Sequence, residues 1–359
     1  MQSRRVGEIE LFRFLFTVVI MFLHSQYLLG ANIPFISGSI AVEFFFIVSG
    51  YLMMASISKL ENTPINNLAN ETIGFAWKKI YPIYPEILVS FIIGFVFKCI
   101  ARGYTFIESV SVLPAGLSEL FLIRSSGIGE LPVNSAIWYV QAMLLCILIL
   151  YPLIRKFPQM TQKVIMPVGA LLLLGWLYQT YGSLLEPSAW TGFTFKGNIR
   201  AIAELCLGAA CYQIVEYLKS FNFSKGLKIA LTVIKWCCWL GSLAYMYFYY
   251  KDHHGDFGIL FVILLAVIIA FSNQGIDAPI YQNKFIFWLG KISFPLYVAH
   301  IYFARSLGFV LPTPLSDVAK MCIYFTCSIT SAIIVTLAAN GIRKLTPKIK
   351  EKFKVMKKA

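Results

Sequence analysis

Charged side chains are scarce in this chain. They fill 13% of 359 positions against 58% hydrophobic, and the mean hydropathy is +0.72. Alternating ten-residue strands separated by turn clusters are absent, which excludes a β-barrel. No loop is long enough to fold as a separate soluble domain. No internal repeat of useful length relates the two halves, which argues against an inverted-repeat transporter. The first apolar segment lacks a small-residue cleavage site, so it is expected to stay as a helix and not be removed as a signal peptide. All eight cysteines fall within apolar runs, where they are expected to pack and not to form a disulfide or metal framework. The turn Lys251-Asp252-His253-His254-Gly255-Asp256 has metal-ligand residue types without ligand spacing, so no metal is expected.

What is present is a series of apolar runs of about twenty residues, each sufficient to cross a hydrocarbon core of about 30 Å. They lie at 10–29, 39–57, 80–101, 136–154, 164–182, 199–218, 229–250, 257–273, 285–305 and 317–341. The expected fold class is therefore all-α, a polytopic membrane protein with about ten transmembrane helices. A transmembrane domain over 1–341 is followed by a basic tail over 342–359. The net charge of +14 invites a nucleic-acid reading, but its placement argues against one. Arg4 and Arg5, 59–79, 155–163, 219–228 and the tail all fall on one side of a ten-helix path. That side holds about twenty basic residues against about six opposite, which makes both termini cytoplasmic by the positive-inside rule. The tail anchors this topology and lies on anionic lipid.

Arg13 and His24 sit inside the first run, where a charged residue costs at least a few kcal/mol unless it faces a polar cavity. Eleven residues separate them, which at about 100° per residue is three turns plus roughly 20°. Both therefore project from one helix face, about 16 Å apart along the axis. Glu10 precedes Arg13 by three residues and can pair with it near the cytoplasmic boundary. Glu43 opens the second helix at the membrane depth of His24, where a carboxylate could orient the imidazole and support it as a general base. Ser49-Gly50 reads as close helix packing. Lys78 and Lys79 open the third helix, either as topology signals or as point charges that meet the phosphates of a cytoplasmic donor. Later runs add Trp138 and Tyr139, the i,i+4 pair Arg200 and Glu204, and His300 with Arg305. His300, a second intramembrane imidazole, weighs toward a lined cavity. The segment LSELFLIRSSG between the third and fourth runs is a short amphipathic stretch suited to the outer interface.

Taken together and in order, these segments resemble the acyltransferase 3 family of integral membrane acyltransferases. Glu10-Leu-Phe-Arg13, then ten residues, then His24 is similar to the family's first-helix signature. Val42-Glu43-Phe-Phe-Phe-Ile-Val-Ser-Gly-Tyr-Leu resembles its second-helix motif, and Lys79-Ile-Tyr81-Pro resembles the segment opening its third helix. Ile137-Trp138-Tyr139 and Gly290-Lys-Ile-Ser-Phe-Pro-Leu-Tyr-Val-Ala-His300 resemble its fourth-helix and late segments. Lysine stands at 78 and 79 where arginine is common in the family.

The resemblance implies transfer of an acyl group, usually acetyl from cytoplasmic acetyl-CoA, to a hydroxyl of an extracytoplasmic polysaccharide or lipid-linked glycan. It implies His24 as the catalytic residue and Arg13 as a holder of the donor, with Lys78, Lys79 and Tyr81 in the donor-binding segment. Glu10, Trp138, Tyr139, Arg200 and His300 are further cavity candidates. The expected setting is the bacterial inner membrane, with lipid as the surrounding partner, no nucleic-acid partner and an open oligomeric state. An extended acyl-CoA is about 20 Å long, comparable to the roughly 16 Å from Arg13 to His24. The rival expectation is a transporter or flippase for a lipid-linked sugar, in which intramembrane Arg, Glu and His are equally at home.

Overall fold

The structure is a computed structural model that describes residues 5–356 apart from 32, 129–132, 250–253, 277 and 313, with side chains described as far as Leu345. Its longer helices are α1 (Gly7–His24), α2 (Ala41–Ile57), α3 (Leu68–Ile80), α4 (Tyr84–Ala101), α5 (Phe106–Leu120) and α6 (Trp138–Lys156). They continue with α7 (Met166–Tyr181), α8 (Lys196–Lys219), α9 (Lys225–Phe248), α10 (Gly255–Ser272), α11 (Lys284–Ser306) and α12 (Asp317–Met356). No strand occurs among the described residues. Ten helices, all of these except α3 and α5, are long and apolar enough to cross a membrane, as the run lengths require.

The boundaries differ from the sequence reading in one place that matters for the site. Lys78 and Lys79 do not open the third span. They close a separate amphipathic helix, α3, whose start Asn67 caps by accepting from the Asn70 N–H at 3.0 Å. Pro82 and Pro85 explain the break. Neither ring can donate a backbone N–H, so the chain leaves the helix after Ile80 and resumes with Pro85 in the first turn of α4. The two lysines therefore sit in a last turn, where cations complement the helix dipole. Arg155 of α6 reaches α3 through Glu71 at 3.1 Å and the connection before α3 through the Thr63 carbonyl at 2.7 Å.

The amphipathic segment before the fourth span also begins earlier than expected. A reciprocal cap between Thr105 and Glu108 starts α5, which ends before the turn at Phe121 and Leu122. At the other end of the chain, α12 runs without a break into the basic segment as far as Met356.

Two glycines decide which helix faces meet at the centre. A Cβ on Gly50 of α2 would lie 2.2 Å from the Leu205 carbonyl oxygen, and one on Gly208 of α8 would lie 2.1 Å from that of Ile47. Only glycine allows the α2 and α8 backbones to touch there, as the packing reading of Gly50 anticipated. Phe12 and Phe16 of α1 fill the adjacent core, with Phe12 stacked on Trp239 at 4.0 Å and Phe16 edge-on to Phe44 at 5.0 Å. Of the eight cysteines, Cys99, Cys146, Cys206, Cys211 and Cys238 are buried as packing residues, whereas Cys237 and Cys322 are exposed on their helices and Cys327 is half-buried.

Candidate active site

A cavity of about 860 Å³ opens at one end of the bundle, between the connections that follow the first, third and fifth spans. In a chain of alternating spans, those connections lie opposite the terminus that precedes α1. Its wall includes His24, Tyr27, Ser39, Arg124, Trp138, Glu186, Arg200, Tyr297 and Arg305. The connection from α5 to α6 is held by Glu119, which accepts from the backbone N–H groups of Val133 at 2.9 Å and Asn134 at 2.7 Å. Burial pushes the Glu119 carboxyl up, and those N–H bonds and Arg124 oppose the shift. The Asn134 side chain then donates to Ser90 Oγ on α4 at 3.0 Å and to the Val298 carbonyl of α11 at 2.5 Å, fixing this rim to two spans.

His24 is the last residue of α1 and lines this cavity. Its Nδ1 lies 2.9 Å from Nε2 of His300 on α11. The Nδ1 of His300 in turn lies 3.3 Å from the Leu296 carbonyl oxygen. A carbonyl can only accept, so it assigns the proton of His300 to Nδ1. The neutral His300 ring then accepts at Nε2 from the Nδ1–H of His24, which leaves the Nε2 lone pair of His24 free to take a proton. Tyr27 stacks parallel to His24, with ring centroids 6.1 Å apart and planes 8° apart.

The partner expected for His24 was Glu43, and here the structure differs. Glu43 is fully buried and pairs with Arg200, whose Nε lies 3.1 Å from its Oε2. The same Nε is 3.0 Å from Glu204, so the i,i+4 pair read from the sequence is present with a second carboxylate added. Arg200 further donates to the carbonyls of Leu184 at 2.9 Å and Ser39 at 3.3 Å, and its guanidinium lies 5.7 Å from the Trp138 ring centroid. The reason is azimuth. The Gly50 and Gly208 contact turns that face of α2 toward α8, while α11 supplies the imidazole that meets His24.

At the other end of α1, Arg13 is half-buried, and its side chain has no hydrogen bond or ion pair among the described residues. Glu10 does not neutralise it. Glu10 leans on Gly290 of α11, where an added Cβ would lie 2.0 Å from its Oε2, and its nearest cation is Arg5 at 4.0 Å. Lys79 stands within electrostatic reach of Arg13, and burial together with that cation pulls the lysine below its ordinary range. Lys78 and Tyr81 are exposed, with Tyr81 against Trp77 at 5.8 Å, so the structure brings Lys79 to Arg13 and leaves its neighbours on the surface. Between the two ends, Tyr139 shares a 2.8 Å hydrogen bond with Ser49, donates to the Phe45 carbonyl at 3.0 Å and feels the Arg13 charge. Arg13, Tyr139 and His24 thus mark a polar line through the bundle.

One buried pair escaped the sequence reading. Lys235 of α9 meets Glu8 of α1 at 2.5 Å, and Trp239 donates to the same carboxylate at 2.7 Å. A lysine in the middle of the run 229–250 was the signal available. Of the metal-type turn, residues 251–253 lie outside the described residues, and His254 contacts the Gly182 carbonyl at 3.2 Å.

The architecture defines an integral, multi-pass membrane protein with His24, Arg124, Glu186, Arg200 and Arg305 in the wall of a cavity at one end. The family model described as an acyltransferase domain matches residues 6–339, nearly the whole chain. The chain belongs to the acyltransferase 3 family and is a membrane acyltransferase. No curated protein and no solved structure matches it.

Proposed function

We propose that the protein moves an acetyl or other short acyl group from cytoplasmic acyl-CoA to a hydroxyl of an extracytoplasmic or lipid-linked glycan. The observation that carries this reading is the hydrogen bond between His24 and His300, on a helix whose same face bears Arg13. Acyl-CoA brings phosphates that need cations, and the hydroxyl that attacks its thioester needs a base. Arg13 and Lys79 form the cationic end of the line, and His24 the basic end. The CoA phosphates dock at Arg13 and Lys79, and the pantetheine arm runs past Tyr139 toward His24. The acceptor hydroxyl approaches from the cavity.

The His24 Nε2 removes the hydroxyl proton as the oxygen attacks the thioester carbonyl, forming the ester C–O bond. The C–S bond breaks, and the departing thiolate takes the proton back from His24. The His300 Nε2 holds the Nδ1–H of His24 throughout, fixing the ring and supporting its transient positive charge. Glu43, with Glu204, sets Arg200 in the cavity wall. Both termini and the basic tail lie on the cytoplasmic face of a bacterial inner membrane, in line with the positive-inside distribution.

The test is NMR of surface glycans from a deletion strain complemented with wild type or with His24→Ala. O-acyl signals are expected to vanish on deletion and to return with the wild type alone. Unchanged O-acylation in the deletion strain would end the proposal.

A further inference from the structure

The arginines in the wall of the outer cavity are not equally provided with carboxylates. Arg200 is matched by Glu43 and Glu204, and Glu186 lies within electrostatic reach of Lys196. Arg305 is different. Its hydrogen-bond partner is the Tyr27 hydroxyl at 3.2 Å, its guanidinium lies 4.8 Å from the Tyr27 ring centroid, and it has no ion pair among the described residues. That same ring stacks against His24, so the Arg305 cation stands one aromatic ring from the base. Arg124 lies close enough to Arg305 for each to feel the other's charge. Its nearest carboxylate is Glu119, whose Oε1 is 3.8 Å away, beyond hydrogen-bond distance, while its Oε2 accepts the two backbone N–H bonds. The Nε of Arg124 is buried with no hydrogen-bond partner.

Two neighbouring guanidiniums in the wall of one cavity, one of them without a counterion, form a receptor for an anion. A planar fork of donors suits a carboxylate or a phosphate. We propose that the acyl acceptor is an anionic glycan, and that Arg305 and Arg124 hold its carboxylate or phosphate while a neighbouring hydroxyl is presented to His24. This rests on the acyl-transfer reading of the same cavity. Tyr27 couples the two functions, because the ring that seats Arg305 also stacks on the base. A neutral sugar would leave the cationic rim uncompensated, so the rim selects by charge at the step where the acceptor enters.

The experiment is ligand-dependent thermal stabilisation of the full-length protein in a phosphate-free maltoside detergent, using methyl glucoside, methyl glucuronide, glucose 1-phosphate and a short-chain phosphatidylglycerol. A ligand that binds only the folded protein raises its stability. At least one anionic glycoside is expected to stabilise at a concentration about tenfold lower than the neutral glucoside, and whether the glucuronide or the phosphate does so identifies the anion. The gain is expected to disappear in Arg124→Gln/Arg305→Gln and to persist in Arg305→Lys.

Equal response to neutral and anionic glycosides, no response to either anionic glycoside, or a response to the phospholipid alone would overturn the proposal. If the double variant does not fold, the comparison of glycosides on the wild type still decides. Transfer of radiolabelled acetyl from acetyl-CoA, measured in parallel on the same glycosides, separates the two readings. Arginine-dependent binding without transfer would count against the acyl-transfer reading and leave the anion site standing. Transfer to the neutral glycoside as fast as to the anionic ones would do the reverse.

Discussion

His24 and His300, separated by 276 positions in the chain, meet through a 2.9 Å hydrogen bond that joins the end of α1 to α11. The bond gives each ring a defined proton. The Leu296 carbonyl fixes His300, and His300 fixes His24, so the free lone pair of His24 belongs to Nε2.

His300 acts through His24 and is therefore a positioning residue. His300→Ala is expected to lower kcat by about a hundredfold while leaving KM for acyl-CoA near wild type, because it misdirects the base and leaves the donor contacts intact. His300→Gln, which retains an acceptor, should recover part of the loss. Steady-state kinetics on purified protein check this. Equal loss in both variants, with KM rising in step, would assign His300 a structural role only.

Arg13 and Lys79 share the donor role in the account, whereas exposed Lys78 does not. Arg13→Gln and Lys79→Gln should each raise KM for acyl-CoA by about tenfold to a hundredfold, the range of a charge-assisted hydrogen bond, and Lys78→Gln should change it little. Burial and the Arg13 charge hold Lys79 below the ordinary lysine range. Its cation is therefore lost at lower pH than that of a free lysine, and donor affinity should weaken as pH rises toward that range. Lys79→Arg should abolish that weakening in a titration of KM against pH.

Arg200 pairs with two buried carboxylates at once. Arg200→Met leaves Glu43 and Glu204 facing each other without a cation, an uncompensated burial of charge that costs about 3–5 kcal/mol. Glu43→Gln keeps one full ion pair and should destabilise less. Thermal unfolding of the two variants in the same detergent measures the order, and a milder effect for Arg200→Met would contradict the arrangement.

Gly50→Ala and Gly208→Ala each place a methyl group into a facing backbone carbonyl of the α2 and α8 contact. Backbone cannot step aside as a side chain can, so each should cost at least the roughly 1–3 kcal/mol of an overpacked core. Gly74→Ala, where an added Cβ meets nothing within 4 Å, serves as the control in the same unfolding series.

Much of this was readable from the residues. The ten spans followed from run length, and Arg13 and His24 share a face by helical arithmetic alone. Arg200 and Glu204 meet because residues four apart on a helix are neighbours. What could not be read was rotation. Residue depth follows from counting along a span, but the direction in which a face points depends on which helices pack together. Glu43 meets Arg200 and not His24, since Gly50 and Gly208 aim it at α8. The pairing of Glu8 with Lys235 spans 227 positions and leaves no local pattern. Lys78 and Lys79 are legible as basic residues near a span, but Pro82 and Pro85 end α3 before the span begins.

The most direct measurement is transfer of radiolabelled acetyl from acetyl-CoA to glycan in membranes containing wild-type protein or His24→Ala at equal, folded abundance. The account predicts robust labelling with the wild type and a loss of about a hundredfold or more without the imidazole, the range of general-base catalysis. Labelling by His24→Ala at the wild-type rate would contradict it.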